Sequence, residues 1–333
     1  MTGQRDPRVI VVTGASSGIG RAITRAFGVR GCKVVLIARN EQALDMAAAE
    51  VRQAGGEALV LPLDVVDAEA VDGAATAVET QWGRIDVWIN CAMATVFAPV
   101  VETTPDEYRR VTEVTYLGYV YGTLAALRRM QPRDEGTIIQ IGSALAYRSI
   151  PLQSAYCAAK AATRGFTDSL RTELIHEGSA IRLSMLLLPA VNTPQPTRQR
   201  NKLAHQAKPM SPMFTPESIA DLVVYASEHA PREMLIGRPT VQAVWGQKFI
   251  PAFLDLYLGK RGYKAQTTDE PNDQHGRDIL FRSLPGDPGA HGPYRDQERG
   301  LDLQMWLSLR ARSIATKVVR RCIRTLTSIG GGS

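Results

Sequence analysis

The stretch VVTGASSGIG, residues 11–20, constrains the fold of this chain more than any other segment. Val9, Ile10, Val11 and Val12 form an unbroken apolar run, too short for a helix, which predicts a fully buried strand. Gly14, Gly18 and Gly20 follow, at places where a side chain would obstruct a tight turn or a neighbouring backbone. From Ile19 to Val29 the spacing turns helical, with Ile19, Ile23, Ala26 and Phe27 on one face. Strand, glycine turn and helix in that order present free N–H groups and a positive helix end to a phosphate.

The same alternation continues along the chain. Buried-strand candidates recur at residues 9–12, 34–37, 58–61, 85–89, 137–141, 181–188 and about 235–244. Helical spacing lies between them: Ala43, Ala47, Val51 and Ala54 share one face, as do Val71, Ala74, Ala75 and Val78. One long helix is expected from Pro105 to Met130, with Thr104 as N-cap and Pro105 at its first position. Others are expected at about 155–176 and 216–228. The fold class is therefore α/β, a Rossmann-type doubly wound parallel sheet of about seven strands with helices on both faces. Ligands bind such sheets beyond the carboxyl ends of the strands. Residues 1–250 are expected to form this catalytic domain and 251–333 a C-terminal extension.

Bulk properties exclude several classes. There is no apolar run near the length of a spanning helix, and the first apolar run feeds a glycine turn rather than a signal-peptide core. Cys32, Cys91, Cys157 and Cys322 are scattered without metal-ligand or paired spacing, which points to reduced thiols and a cytoplasmic location. The five histidines are equally dispersed, so no metal site is expected. A net charge of +6 is modest and implies no nucleic-acid partner.

Two places speak to chemistry. At the end of the second strand an acidic residue would hold a ribose 2′-hydroxyl, whereas an arginine suits a 2′-phosphate. The chain has Arg39 there, which favours NADP over NAD. Asp64 and Val65 follow the third strand, where adenine contact is expected. Further on, GSALAYRSIPLQSAYCAAK carries Tyr156 and Lys160 four apart, stacked on one face of a helix. A free phenol, with a pKa near 10, is a poor acid–base group at neutral pH, and a neighbouring ammonium lowers it. Ser143, just past the fifth strand, can point its hydroxyl at the same cleft. The three make a proton donor, a charge that tunes it, and a group to hold a carbonyl oxygen.

At these residues the chain resembles the short-chain dehydrogenase/reductase family over roughly residues 7–245. Thr13-Gly14-x-x-x-Gly18-Ile19-Gly20 matches its glycine motif, and Ser143, Tyr156 and Lys160 match its catalytic residues. The resemblance implies hydride transfer between nicotinamide and a carbonyl or alcohol carbon of a small molecule, in a homodimer or homotetramer. Tyrosine would act as acid–base, serine would orient the oxygen, and lysine would bind the nicotinamide ribose. The cofactor would be held by Gly14, Ser16, Ser17, Gly18, Ile19, Gly20, Arg39, Asp64, Val65, Asn90, Tyr156, Lys160, Pro189, Val191 and Thr193. Within the family the chain is similar to a bacterial subgroup with a long C-terminal extension and no assigned substrate.

Three departures stand out. The family's Asn-Asn-Ala-Gly is Asn90-Cys91-Ala92-Met93 here, so Met93 should narrow the pocket floor. Thr115 stands where the family has a catalytic asparagine that holds a proton-relay water, which puts the relay in doubt. Pro-Gly after the sixth strand is Pro189-Ala190, although Thr193 still matches the residue at the nicotinamide carboxamide.

Residues 194–215 fall where the family places its substrate loop, and their prolines and basic residues suggest a mobile cover. Arg198, Arg200, Lys202 and Lys208 either attract an acidic substrate or form a solvated face. Met93, Leu145, Met210, Met213 and Phe214 point to an apolar one. Past residue 250 a helix is expected to carry Phe253, Leu254, Tyr257 and Leu258, followed by an irregular arm over 263–300. Residues 301–329 read as a basic amphipathic helix. Its cationic side suits an anionic membrane surface, and its apolar side suits the protein body or a second subunit. An NADP-dependent oxidoreductase is the leading expectation. A nucleotide-binding scaffold or sensor with little turnover is the alternative.

Overall fold

The computed structural model describes residues 7–272 and 277–300. Strand β1 (Val9–Thr13) sends Ile10 and Val12 to one face of a sheet and Val9 and Val11 to the other. Both faces are covered by helices, which is why the strand carries no polar alternation. The strands β2 (Lys33–Ala38), β3 (Glu57–Pro62), β4 (Val87–Asn90), β5 (Thr137–Ser143), β6 (Arg182–Leu188) and β7 (Glu233–Leu235) complete the sheet. Their order is β3-β2-β1-β4-β5-β6-β7, and every neighbouring pair is parallel. The chain order reverses beside β1, between β1 and β4, and there the carboxyl ends diverge into a crevice.

Helices α1 (Gly18–Gly28), α2 (Glu41–Gln53) and α7 (Pro216–His229) cover one face. On the other lie α3 (Ala68–Trp82), α4 (Pro105–Thr112), α5 (Gly118–Met130) and α6 (Ser154–His176). Helix α4 starts where expected: Thr104 and Glu107 form a reciprocal capping box, and Pro105 takes the first position.

Two expectations are corrected. The single helix from 105 to 130 is two helices joined by a π-helical turn, Glu113–Leu117. Apolar spacing stays nearly helical through one extra residue, so periodicity cannot reveal it. The strand expected over about 235–244 ends at Leu235, and α8 (Arg238–Phe249) takes over. Gly237 turns the chain at φ +77°, and Pro239, with no N–H, suits a first helical turn and not a central strand. A further helix, α9 (Pro251–Ala265), follows at once.

The arm is irregular, as its composition suggests, but it is pinned. Thr267–Pro271 pairs antiparallel with His205–Ala207, and Glu298–Arg299 pairs parallel with Met213–Phe214. Residues 277–300 thus return across the carboxyl end of the sheet. The amphipathic segment 301–329 lies outside the described residues.

Candidate active site

Beyond the ends of β1, β2, β5 and β6 opens a cavity of about 680 Å³. That is within the usual range for a small-molecule site. The turn after β1 forms one wall. Gly14 sits at φ +71°, and a Cβ there would come 2.8 Å from the Ala92 Cα. A Cβ on Gly20 would meet the Gly14 carbonyl at 2.2 Å, so any side chain would push the turn open. Thr13 ties the turn to β4: its hydroxyl accepts the N–H groups of Cys91 (3.0 Å) and Ala92 (3.2 Å). Ser16, Ser17, Gly18, Ile19 and Gly20 line the same wall.

Most of the expected residues converge here. Arg39, Asp64, Val65, Ser143, Tyr156, Lys160, Pro189, Val191 and Thr193 all face the cavity. Two do not. Asn90 is fully buried beneath the floor, where its side chain accepts from Trp88 (2.9 Å) and donates to Gln140 (3.0 Å) and Thr123 (3.1 Å). Its role is to join β4, β5 and α5. Thr115 is also fully buried, within the π-helical turn. Its hydroxyl accepts the Ala94 N–H and donates to the Ala94 carbonyl, both at 2.9 Å. Its own carbonyl accepts from Thr163 at 3.2 Å. This threonine anchors the Met93-bearing loop and has no proton left to donate to a water. Thr115→Val keeps the shape and strips both bonds, so it is expected to destabilise the fold by about 1–3 kcal/mol. Thermal unfolding of the two proteins measures this, and an unchanged midpoint would refute the anchoring role.

Lys160 is 2% exposed, and its ammonium has found partners the sequence did not announce. Nζ donates to the Tyr119 hydroxyl at 2.9 Å and to the Ile141 carbonyl at 2.7 Å. The Tyr119 hydroxyl donates to that carbonyl too, at 2.9 Å. Tyr119 reads as one more core aromatic in the sequence, and only its phenolic oxygen could have hinted at this role. Burial pulls the Lys160 pKa down to about 7. Tyr156 moves the other way: burial raises its phenol above the ordinary range, and its hydrogen bond with Ser143 only partly opposes that. The expected lowering by Lys160 is the smaller effect. The Lys160 ammonium lies 5.7 Å from the Tyr156 ring centroid, and a charge at such a distance contributes about 3 kcal/mol at an effective dielectric near 20. Full burial of a phenolate costs roughly 4–7 kcal/mol. Tyr156 is thus a neutral phenol holding its proton. Burial likewise pushes the Cys91 thiol up to about 12, so it is no nucleophile.

The lysine has a consequence for stability. Folded Lys160 releases its proton near pH 7, whereas in the unfolded chain it keeps it to about 10.5. Unfolding in that window takes up a proton, so stability rises with pH. Relative to Lys160→Met, the unliganded protein is expected to gain as much as about 1.4 kcal/mol per pH unit between pH 7 and 9. Above that the buried thiols act in the opposite sense. Parallel unfolding curves for both proteins would overturn the assignment.

The arm contributes a wall that the sequence did not reveal. Arg39 donates to the carbonyls of Ile279 (2.5 Å) and Leu280 (3.4 Å), with the Asp64 carboxylate 4.0 Å away. Asn40 donates to Leu284 (2.8 Å) and Gly286 (3.1 Å). The Gly18 N–H, in the glycine turn itself, donates to Gly289 at 3.1 Å. Asp287 pairs with buried Arg21. The glycine turn and the end of β2 are therefore strapped by one segment.

The loop 194–215 is built rather than free. Arg200 pairs with Glu107 (3.1 Å) and Asp278 (2.8 Å), and Lys202 pairs with Glu107 (2.8 Å). These two cations are occupied, while Arg198 and Lys208 line the cavity. Met93, Leu145 and Met210 line it as expected, but Met213 and Phe214 are buried and do not line it. Phe97, Leu254, Tyr257 and Leu258 add apolar wall. Among the described residues no cluster of His, Cys, Asp or Glu is arranged to hold a metal ion.

Comparison with known proteins identifies the family. The family model for short chain dehydrogenase matches residues 8–204. An uncharacterized oxidoreductase, YxnA, of Bacillus subtilis is 31% identical over 326 residues, 97% of this chain and 88% of the relative. The fatty acyl-CoA reductase of Acinetobacter baylyi is 31% identical over 231 residues, 68% of this chain and 75% of the relative. Among solved structures, an alcohol dehydrogenase from the archaeon Thermococcus sibiricus, complexed with 5-hydroxy-NADP, superposes with a TM-score of 0.57. It is 30% identical and covers 66% of this chain and 89% of its own.

Proposed function

The chain belongs to the short-chain dehydrogenase family of oxidoreductases, and from that premise we propose that it interconverts a carbonyl and a secondary alcohol on an apolar small molecule, with NADP as cofactor. The observation that carries this reading is the meeting of Ser143, Tyr156 and Lys160 with the glycine turn and Arg39 around one cavity. The cradle fits a dinucleotide: the close approaches at Gly14 and Gly20 keep side chains out of the turn, whose Gly18 N–H is held by the Gly289 carbonyl, and Arg39 lines the cavity beside Asp64. Bound there, the cofactor supplies or accepts the hydride.

The chain's own groups handle the oxygen. Ser143 donates to the carbonyl oxygen and fixes its direction. Tyr156, kept neutral by burial, holds a proton at Oη and releases it to that oxygen as negative charge develops, so the alcohol leaves uncharged. Lys160, near its titration point at neutral pH, shares its charge with the resulting phenolate. The apolar wall of Met93, Phe97, Leu145 and Met210 supports an apolar substrate, in keeping with the name of the Acinetobacter relative.

The test is NADPH oxidation across a panel of aldehydes and ketones of increasing chain length. Turnover that improves with apolar length supports the reading. Tight NADPH binding with no turnover on any member would favour a sensor instead, for which the Thr115 hydroxyl, its proton already given to Ala94, speaks.

A further inference from the structure

Half of the large apolar side chains exposed among the described residues fall in one short stretch of α8 and α9. Phe249 (73%), Leu256 (67%) and Phe253 (60%) are the most open, and Trp245, Ile250 and Tyr257 join them. Trp245 stacks on Phe249 at 5.7 Å and Phe253 on Tyr257 at 6.4 Å. Each pair is one helical turn apart, so the aromatics form stripes along the two helices. The helices touch where Leu254 packs on Gly246. Of α9, only Leu258 and Gly262 are buried. Soluble monomers rarely leave so much contiguous apolar surface open unless something binds it.

The charges around the patch say what binds. Arg238, Lys248, Lys260, Arg261 and Lys264 are all exposed here. The one acid in the same stretch, Asp255, is paired with Arg148 at 2.8 Å. Lys248 lies over the Trp245 ring at 5.0 Å. A second copy docked about a two-fold axis would set these five cations against the same five. The segment 301–329, with Arg310, Arg312, Lys317, Arg320, Arg321 and Arg324, is also cationic, so like charge would oppose its seating there. An anionic lipid surface satisfies both features: rings and leucines enter the headgroup boundary while the lysines and arginines meet lipid phosphates.

We propose that α8 and α9 dock this protein on anionic membrane. Leu254, Tyr257 and Leu258 of the same helix also wall the cavity, so docking sets the cavity against the bilayer. Lipid-dissolved carbonyl compounds then become the substrate class. That consequence rests on the oxidoreductase reading, whereas the docking does not.

The experiment is sedimentation of the full-length protein with phosphatidylcholine vesicles, with and without phosphatidylserine, at low and high salt. Strong binding is expected only with phosphatidylserine at low salt, because each basic side chain near such a surface adds about five-fold. The triple variant Phe249→Ser, Phe253→Ser, Leu256→Ser replaces no residue that lines the cavity. It should lose about tenfold or more of the binding while its melting temperature, mass in solution and turnover of a soluble substrate stay the same. Replacing the six basic residues of 301–329 with glutamine should leave most of the binding in place. Three results would overturn the proposal: no sedimentation on phosphatidylserine, equal sedimentation of the triple variant, or a smaller oligomer for that variant. A docked protein that turns over no carbonyl would refute the substrate class alone.

Discussion

Tyr156→Phe is expected to lower turnover by about 10²–10⁴ while leaving NADPH affinity within a few-fold. The substitution keeps the ring, and with it the packing of α6 against the cavity. It removes the only hydroxyl on α6 that shares a hydrogen bond with Ser143 at the cavity wall. Without a donor the nascent alkoxide must take its proton from water. The measurement is single-turnover reduction of the best substrate from the panel, beside NADPH titration. Parent-level reduction by the variant would remove Tyr156 from the mechanism. Equal loss of NADPH binding would show instead that the phenol organises the cofactor.

Arg39→Asp is expected to erase or reverse the preference for NADPH over NADH. A guanidinium bonded to a 2′-phosphate contributes roughly 1.5–3 kcal/mol per bond, a factor of about 10–150 in affinity. The substitution replaces that with a second carboxylate beside Asp64, which repels the phosphate and suits a ribose hydroxyl. Arg39 is also a donor to the Ile279 and Leu280 carbonyls, so the arm loses a tether. Arg39→Gln separates the effects: it retains a donor for the arm and loses the charge. Titration of both cofactors into the three proteins decides the matter, and equal affinities in the parent would end the case for NADP.

The parts of this site that could be read from sequence are those where geometry demands a residue type. A strand buried on both faces must be apolar throughout, so Val9 to Val12 declares itself. A backbone that approaches Ala92 as closely as Gly14 does excludes every other residue. Two side chains on one helical face must be three or four apart, as Tyr156 and Lys160 are. What stayed hidden uses groups that every sequence has. The arm holds Arg39, Asn40 and Gly18 through backbone carbonyls, and a carbonyl leaves no mark in the sequence. The π turn at Thr115 and the Tyr119 partner of Lys160 are of the same kind. One is an extra residue inside unbroken helical spacing, and the other a phenol at an apolar position. Helix α8 escapes its local sequence for a different reason. Val241 and Val244 suit a strand, but the turn at Gly237 and the missing N–H of Pro239 favour a helix start.

The strap across the nucleotide crevice also fixes an order of events in synthesis. All seven strands end by Leu235, so the sheet can assemble on the ribosome before the residues that close its crevice exist. At about 5–20 residues per second, the stretch from there to Gly300 takes several seconds more. During that interval the nascent protein has an open glycine turn and an Arg39 without its carbonyl partners. Messages broken near their end would yield a folded sheet whose nucleotide crevice is never closed, a product that binds and releases cofactor by different rates from the finished chain.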